Sequence, residues 1–146
     1  MLELNVKFQE KYKQLDLLCK DIFSSKEGVS EYIKEMENTN SQFSRYILDW
    51  ANVYKQLKHM RWLRNQLAHE VGAFNFDLCS DYDLKWLNDF YNSILNRTDP
   101  LAQVGQLERQ KQLHQNNSNS NKTQINIKTK VSLWDKIKAK FKSWFS

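Results

Sequence analysis

The chain has 146 residues, enough for one domain with a hydrophobic core and an appendage. It contains 3 Gly and 1 Pro beside abundant Leu, Lys, Gln, Asn and Glu, a composition that indicates an all-α protein. The net charge of +5 is uneven, because residues 115–146 hold seven Lys and one Asp while residues 1–114 carry a net charge of −1. The main body is therefore not a broadly basic nucleic-acid binder, and any attraction for RNA must be local.

Several functional classes lack their sequence signatures. Cys19 and Cys79 show no C-x-x-C spacing, and Cys19 falls on an apolar helical stripe, which predicts a buried, reduced thiol. The three His have no Cys or carboxylate at ligand spacing, and no Gly-rich phosphate loop or G-x-S-x-G occurs, so we expect no metal site or cofactor. No secretory signal and no run of about 18 apolar residues is visible, so we expect a cytoplasmic protein.

The first two predicted helices lie near the start of the chain. Residues 3–23 have the spacing of an amphipathic helix, with an apolar face of Leu4, Phe8, Tyr12, Leu15, Leu18, Cys19 and Ile22. Residues 24–28 break it, and we expect Ser30 to cap a short second helix that carries Tyr32, Ile33 and Met36. Residues 38–41 then form a loop whose end offers the next N-cap.

A helical pattern runs almost unbroken from residue 42 to residue 71, as one helix or as two with a kink near residues 51–53. Its main stripe consists of Ile47, Trp50, Tyr54, Leu57, Arg61, Arg64 and Ala68, widened by Met60, Leu63 and Leu67. A burial face would stay apolar, so the change to arginine places Arg61 and Arg64 at a cleft or interface edge rather than in the core.

Two more helices are predicted before residue 115. Gly72 is a natural helix stop, and Phe74 and Phe76 are expected to tuck under the bundle. Ser80 and Asp83 form a capping box that opens a helix through residue 96, with an inner face of Leu84, Leu87, Phe90, Tyr91, Ile94 and Leu95. Asp99-Pro100 starts a polar fringe helix to about residue 114, whose thin apolar stripe is Leu101, Val104, Leu107 and Leu113.

The densest group of chemically useful side chains is the stretch 61–70. Arg64, Asn65 and His69 form an R-N-x-x-x-H string that resembles the R-x4-6-H motif of the HEPN helical superfamily, in which a polar residue often follows the Arg. The resemblance implies a HEPN-like α-helical bundle over residues 1–114 and, as in active members, metal-independent RNA cleavage of the toxin or defence type. It also implies RNA as substrate, products with 2′,3′-cyclic phosphate ends, and a cognate antitoxin or regulator as a partner.

The chemistry of these residue types agrees with that implication. Cleaving RNA without a metal requires a base for the 2′-OH proton, an acid for the leaving oxygen and positive charge near the phosphorane. His69 can act as acid or base, Arg64 offers a planar fork to phosphate oxygens, and Asn65 and Arg61 can support both. On an ideal helix Arg64 and His69 stand about 140° apart, so a homodimer with a composite site brings them together more simply.

A second hypothesis needs no catalysis. An Arg and a His at this spacing commonly cap and salt-bridge a structural helix, and His69 lies near the C-terminal end of its predicted helix. The chain would then be a HEPN-like dimerisation or interaction module. A buried His69 bonded to structural groups favours this hypothesis, whereas an uncovered basic and aromatic cleft favours the ribonuclease.

The end of the chain has a different composition. Residues 115–130 indicate a linker, polar and of low complexity over 115–124, and residues 131–146 a basic amphipathic helix with a Ser132–Asp135 capping box. Its apolar side holds Leu133, Trp134, Ile137, Phe141, Trp144 and Phe145, and its lysines are Lys136, Lys138, Lys140 and Lys142. Such a helix suits an anionic membrane surface, a groove on its own bundle or a protein partner, or non-specific contact with nucleic acid. A peripheral membrane location is therefore one expectation.

Overall fold

A computed structural model of the chain describes residues 3–69 and 76–118, and these form an all-α bundle. The helices, in chain order, are α1 (Glu3–Phe23), α2 (Val29–Glu37), α3 (Ser41–Ser44), α4 (Trp50–His69), α5 (Asp81–Leu95) and α6 (Pro100–Ser118). The predicted all-α fold class is thus confirmed. None of the helices within the described ranges is long and apolar enough to cross a bilayer.

Helix α1 is the centre of the bundle, since it packs against α2, α4 and α5. Its predicted limits are those observed, and the predicted apolar face is buried apart from Leu4, which is half-buried. The core that this face joins draws its largest fully buried apolar side chains from four helices: Phe8, Leu15, Ile33, Leu57, Met60, Leu63, Leu67 and Leu87. Burial of such side chains, at about 1.5–3 kcal/mol each, holds the helices together.

The turn between α1 and α2 depends on Gly28 rather than on Ser30. The predicted Ser30 cap is wrong, because the N-cap position is occupied by Gly28, which has no side chain that could cap the helix. Asp16 of α1 supplies the cap instead, because its Oδ1 accepts a 2.9 Å hydrogen bond from the Val29 N–H. A side-chain carbon at Gly28 would collide with the backbone oxygen and carboxylate of Asp16, so the close approach requires glycine.

The helical pattern of residues 42–71 is broken earlier than predicted. Asn40 caps α3 as expected for the end of the preceding loop, accepting from the Gln42 N–H at 3.0 Å, but α3 ends at Ser44. Asp49 then adopts a left-handed φ of 63°, and α4 starts at Trp50. The predicted single helix, or kink at residues 51–53, is therefore corrected to two helices separated at residues 45–49. Asp tolerates this conformation better than most residues do.

The predicted starts of α5 and α6 are confirmed. Ser80 Oγ accepts from the Asp83 N–H at 3.2 Å and Asp83 Oδ2 accepts from the Ser80 N–H at 2.9 Å, which completes the capping box. Helix α6 begins at Pro100, with Asp99 Oδ2 accepting from the Ala102 N–H at 3.3 Å. It continues to Ser118, so the end predicted at about residue 114 falls inside this helix.

The segment before α5 is attached to α1 by Asn5, which is fully buried. Its Oδ1 accepts from the N–H groups of Leu78 and Cys79, at 2.8 and 3.3 Å, and its Nδ2 donates to the Phe76 oxygen at 3.2 Å. The Phe76 side chain is 58% exposed, so the prediction that it tucks under the bundle is wrong. Its backbone, rather than its ring, provides the attachment.

Four predictions concern residues outside the described ranges. These are the helix stop at Gly72, the burial of Phe74, the linker over residues 119–130, and the amphipathic helix over residues 131–146.

Candidate functional site

The motif residues occupy the second half of α4, beside its buried face. Leu57, Met60, Leu63 and Leu67 are the buried residues of this helix and fix its orientation against α1 and α2. Arg61 is half-buried at one margin of that face, and its Nη1 donates to Ser30 Oγ at 3.2 Å. Arg61 therefore joins α4 to α2, a role that the sequence did not indicate.

Arg64 is exposed at the margin that faces α1. Its Nη1 donates to Asn65 Oδ1 at 3.2 Å, and its guanidinium carbon lies 5.9 Å from the centre of the Tyr12 ring. Burial, and to a lesser degree Asp16, raises the pKa of Tyr12 well above its usual value, while Arg64 and Arg61 act in the opposite direction. Of the two arginines, Arg64 is thus the one whose guanidinium lies beside the Tyr12 ring.

His69 is exposed and is the last residue of α4. Its side chain makes no hydrogen bond or ion pair with another of the described residues. The condition that would have favoured a purely structural histidine, burial with bonds to structural groups, is not met. The imidazole is accessible to a partner in solution.

One chain brings together only part of the predicted site. Arg64 and Asn65 are in contact, whereas Arg61 is turned to Ser30. Arg64 contacts the α1 side of α4, and a residue five positions on, His69, stands about 140° around a regular helix from it. One α4 therefore does not easily bring both side chains onto a single phosphate.

The solvent side of α4 contains functional candidates that the sequence analysis missed. Lys55, Lys58 and Trp62 precede Asn65 and His69 at steps of three and four residues, so the five share one side of the helix. We call this set the outer face of α4. The step pattern is visible in the sequence, but it includes neither Arg61 nor Arg64, the arginines on which the predicted site depends.

Two other features of the described residues bear on chemistry. Cys19 and Cys79 are free, buried thiols, as predicted for Cys19, and burial raises the pKa of both, that of Cys79 to about 12. Within residues 3–69 and 76–118 no three His, Cys, Asp or Glu side chains are grouped so that they could hold a metal ion.

The fold and the site define a small helical-bundle protein with a basic helix at its surface. The chain belongs to a family of unknown function, DUF6548, which matches residues 6–143. The matched range extends past α6 and includes most of the basic tail. No curated protein and no solved structure matches the chain.

Proposed function

We propose that the protein is a metal-independent RNA endoribonuclease of the HEPN type, which acts as a homodimer in toxin or defence systems of the cytoplasm. The observation that carries the proposal is the exposed Arg64, joined to the half-buried Asn65 by a 3.2 Å hydrogen bond, on the same helix as an exposed His69. Helix α4 carries four Lys and Arg side chains and no acidic one, although residues 1–114 have a net charge of −1. This supplies the local attraction for RNA that the overall charge lacks.

Each motif residue has a role in the proposed reaction. Because imidazole can act as base or as acid, His69 of one protomer takes the proton from the 2′-OH and the partner's His69 delivers one to the 5′-oxygen as it leaves. Arg64 binds the non-bridging oxygens of the phosphorane, and Asn65 orients its guanidinium through their hydrogen bond. The 2′-oxygen–phosphorus bond forms and the phosphorus–5′-oxygen bond breaks, which leaves a 2′,3′-cyclic phosphate and a 5′-hydroxyl. Arg61 adds positive charge at the edge of the site.

The dimer follows from the spacing of Arg64 and His69. A twofold axis near residues 61–69 places His69 of one protomer near Arg64 of the other, so that each phosphate meets both groups. The resulting cleft holds two His and up to four Arg. A cognate antitoxin or regulator would act by covering this cleft.

The test is cleavage of single-stranded and structured RNA by the full chain in EDTA. His69→Ala and Arg64→Ala should each lower the rate by about 10²-fold or more, since loss of a general acid or base costs about 10²–10⁴-fold. His114→Ala and Arg45→Ala, which change exposed residues outside α4, serve as matched controls and should cut like the wild type. Full activity in either motif variant, or a wild-type requirement for Mg²⁺, overturns the mechanism.

A second candidate function is favoured by the contacts of the two arginines. Arg61 is bonded to Ser30 and Arg64 to Asn65, as residues with structural roles would be. In this case the chain is a non-catalytic HEPN-like dimerisation module, which residues 131–146 recruit to a membrane or a protein partner. A wild-type protein that cuts none of the RNAs, while still forming dimers, supports this candidate over the first.

A further inference from the structure

The outer face of α4 is a continuous, solvent-facing row of side chains on the side of the helix away from the core. Lys55, Lys58, Trp62 and His69 are exposed and Asn65 is half-buried. The row is opposite to the buried residues Leu57, Met60, Leu63 and Leu67. A ligand that lay along it would contact Trp62 in the middle and end at the proposed catalytic histidine.

Trp62 is held in place without being covered. Its side chain is 51% exposed, and its ring stacks on the His59 ring with an interplanar angle of 14° and centroids 6.2 Å apart. His59 Nε2 lies 3.4 Å from Oδ1 of Asp83, a carboxylate that the capping box of α5 already fixes. The indole orientation is therefore set by a chain of contacts that reaches α5. Such preorganisation lowers the entropic cost of stacking a flat ligand on the ring.

The positive charge of the outer face favours a polyanionic ligand. The outer face offers Lys55 and Lys58 next to Trp62, and no acidic residue occurs anywhere in α4. A polyanion whose units also have flat π-faces suits both the lysines and the indole. Single-stranded RNA has these properties, whereas the bases of a duplex are already stacked on one another.

We propose that the outer face of α4 is a binding track for single-stranded RNA, with Trp62 as the residue that stacks one unpaired base. Lys55 and Lys58 hold phosphates on one side of that base, and the strand continues toward Asn65 and His69. Trp62 and His69 are seven residues apart, or about 10 Å along the helix axis. The stacked base is therefore not at the scissile phosphate but at a subsite beside it. The inference rests on the proposed function in naming RNA and a cleavage point, but the track can bind RNA that is not cut.

Binding is tested with the full chain and a fluorescent single-stranded RNA whose 2′-oxygens are methylated, so that no cleavage can occur. Trp62→Ala should weaken binding about 5- to 150-fold, the range that a stacked base provides, at every salt concentration. Trp62→Phe should recover most of the affinity, and Tyr82→Ala, an equally exposed aromatic between two aspartates, should have none of this effect. A duplex of equal length should bind more weakly to the wild type and be insensitive to Trp62→Ala.

The lysines give a second, independent measurement. Replacing Lys55 and Lys58 by Ala should reduce the slope of log affinity against log salt by about 1.4, or about 0.7 for each phosphate that is no longer neutralised. Trp62→Ala should leave that slope unchanged, and Lys85→Ala on α5 is the matched control.

The two proposals fail in different ways. Wild-type affinity in Trp62→Ala, with its helicity retained, overturns the track. If Trp62→Ala instead abolishes dimers in sedimentation without changing RNA affinity, the outer face is an interface between copies and the track is again wrong. If the wild type binds with Trp62-dependent affinity but cuts no unmethylated RNA, the track stands and the ribonuclease proposal fails.

Discussion

The Tyr32 hydroxyl donates a 2.5 Å hydrogen bond to Oδ2 of Asp99, which joins α2 to the start of α6. The Leu101 N–H in turn donates to the Tyr32 oxygen at 3.1 Å, so the phenol is both donor and acceptor. Asp99 is 4% exposed, and this burial raises its pKa to about 6 despite the hydrogen bonds, which act in the opposite direction. The N-cap of α6 is thus also a buried titrating group.

The first prediction is that Asp99 makes the folded protein less stable as pH rises. The folded state binds the Asp99 proton up to about pH 6, whereas the ordinary pKa of an aspartate is 3.8, so between these values the folded state holds more protons. Stability from this group is therefore present below about pH 4 and lost as the pH rises through 6. The free energy of unfolding of the wild type, relative to Asp99→Asn, should fall by up to about 3 kcal/mol from pH 4 to pH 7, at about 1.4 kcal/mol per pKa unit.

Urea unfolding followed by tryptophan fluorescence at four pH values measures this difference. Asp89→Asn is the control, since Asp89 is an exposed carboxylate on α5 that pairs with Lys85 at 3.8 Å. Its stability relative to the wild type should change little over the same range. An Asp99→Asn curve parallel to the wild type would contradict the prediction.

The second prediction concerns Asn5, the fully buried amide that attaches residues 76–79 to α1. Asn5→Ala leaves the Leu78 and Cys79 N–H groups without their acceptor, and each unsatisfied buried group costs about 1–3 kcal/mol. Unfolding free energy should therefore drop by at least about 2 kcal/mol in urea titrations. Asn88→Ala, an exposed change on α5, should alter it by under about 0.5 kcal/mol. Equal stabilities for the two variants would rule out this role for Asn5.

The third prediction concerns assembly. A fragment of residues 1–118, which ends with α6, should sediment as a dimer, because Arg64 and His69 stand about 140° apart on one α4 and a site shared by two chains brings them to one phosphate more simply. Analytical ultracentrifugation over a range of concentrations measures this directly. A fragment that is monomeric and still cuts RNA would show that one chain suffices and that the composite site is wrong.

The fourth prediction concerns the tail. A peptide of residues 131–146 should be mostly unfolded in buffer, since isolated helices of this length are marginal, and become helical on anionic vesicles. Emission of Trp134 and Trp144 should shift to the blue, and added salt should weaken binding, since each lysine contributes about 1 kcal/mol near such a surface. If vesicles change neither helicity nor emission, the apolar face of Ile137, Phe141 and Phe145, with Lys138 and Lys142 beside it, is left for a protein partner.

The elements that could be predicted from sequence are those specified locally. The periodicity of α1, the Ser80–Asp83 capping box and the Asp99-Pro100 start each depend on residues within a few positions of one another. The errors arise where the structure depends on something other than the local periodicity of the sequence. Asp16 replaces a local cap at α2, and the left-handed Asp49 interrupts a pattern that periodicity alone would continue.

In the candidate site, too, the features that local sequence specifies could be predicted, and those that depend on distant residues could not. Arginines at the edge of a burial face indicated that Arg61 and Arg64 lie outside the core, and both are at the margin of the buried face of α4. The Arg61–Ser30 contact joins residues 31 positions apart, so no local pattern could indicate it. The orientation of Trp62 depends on Asp83 through His59, and is equally invisible in the sequence of α4.

The two buried thiols can serve as probes of local opening of the folded protein. Cys19 lies toward the C-terminal end of α1, the central helix, and Cys79 lies in the segment that Asn5 attaches. An alkylating reagent can therefore reach each thiol only after a different structural fluctuation. Because only the thiolate reacts and burial disfavours it at both positions, trapping in the native state is slow. The ratio of the two modification rates therefore reports whether residues 76–79 detach by themselves or only when the whole bundle unfolds.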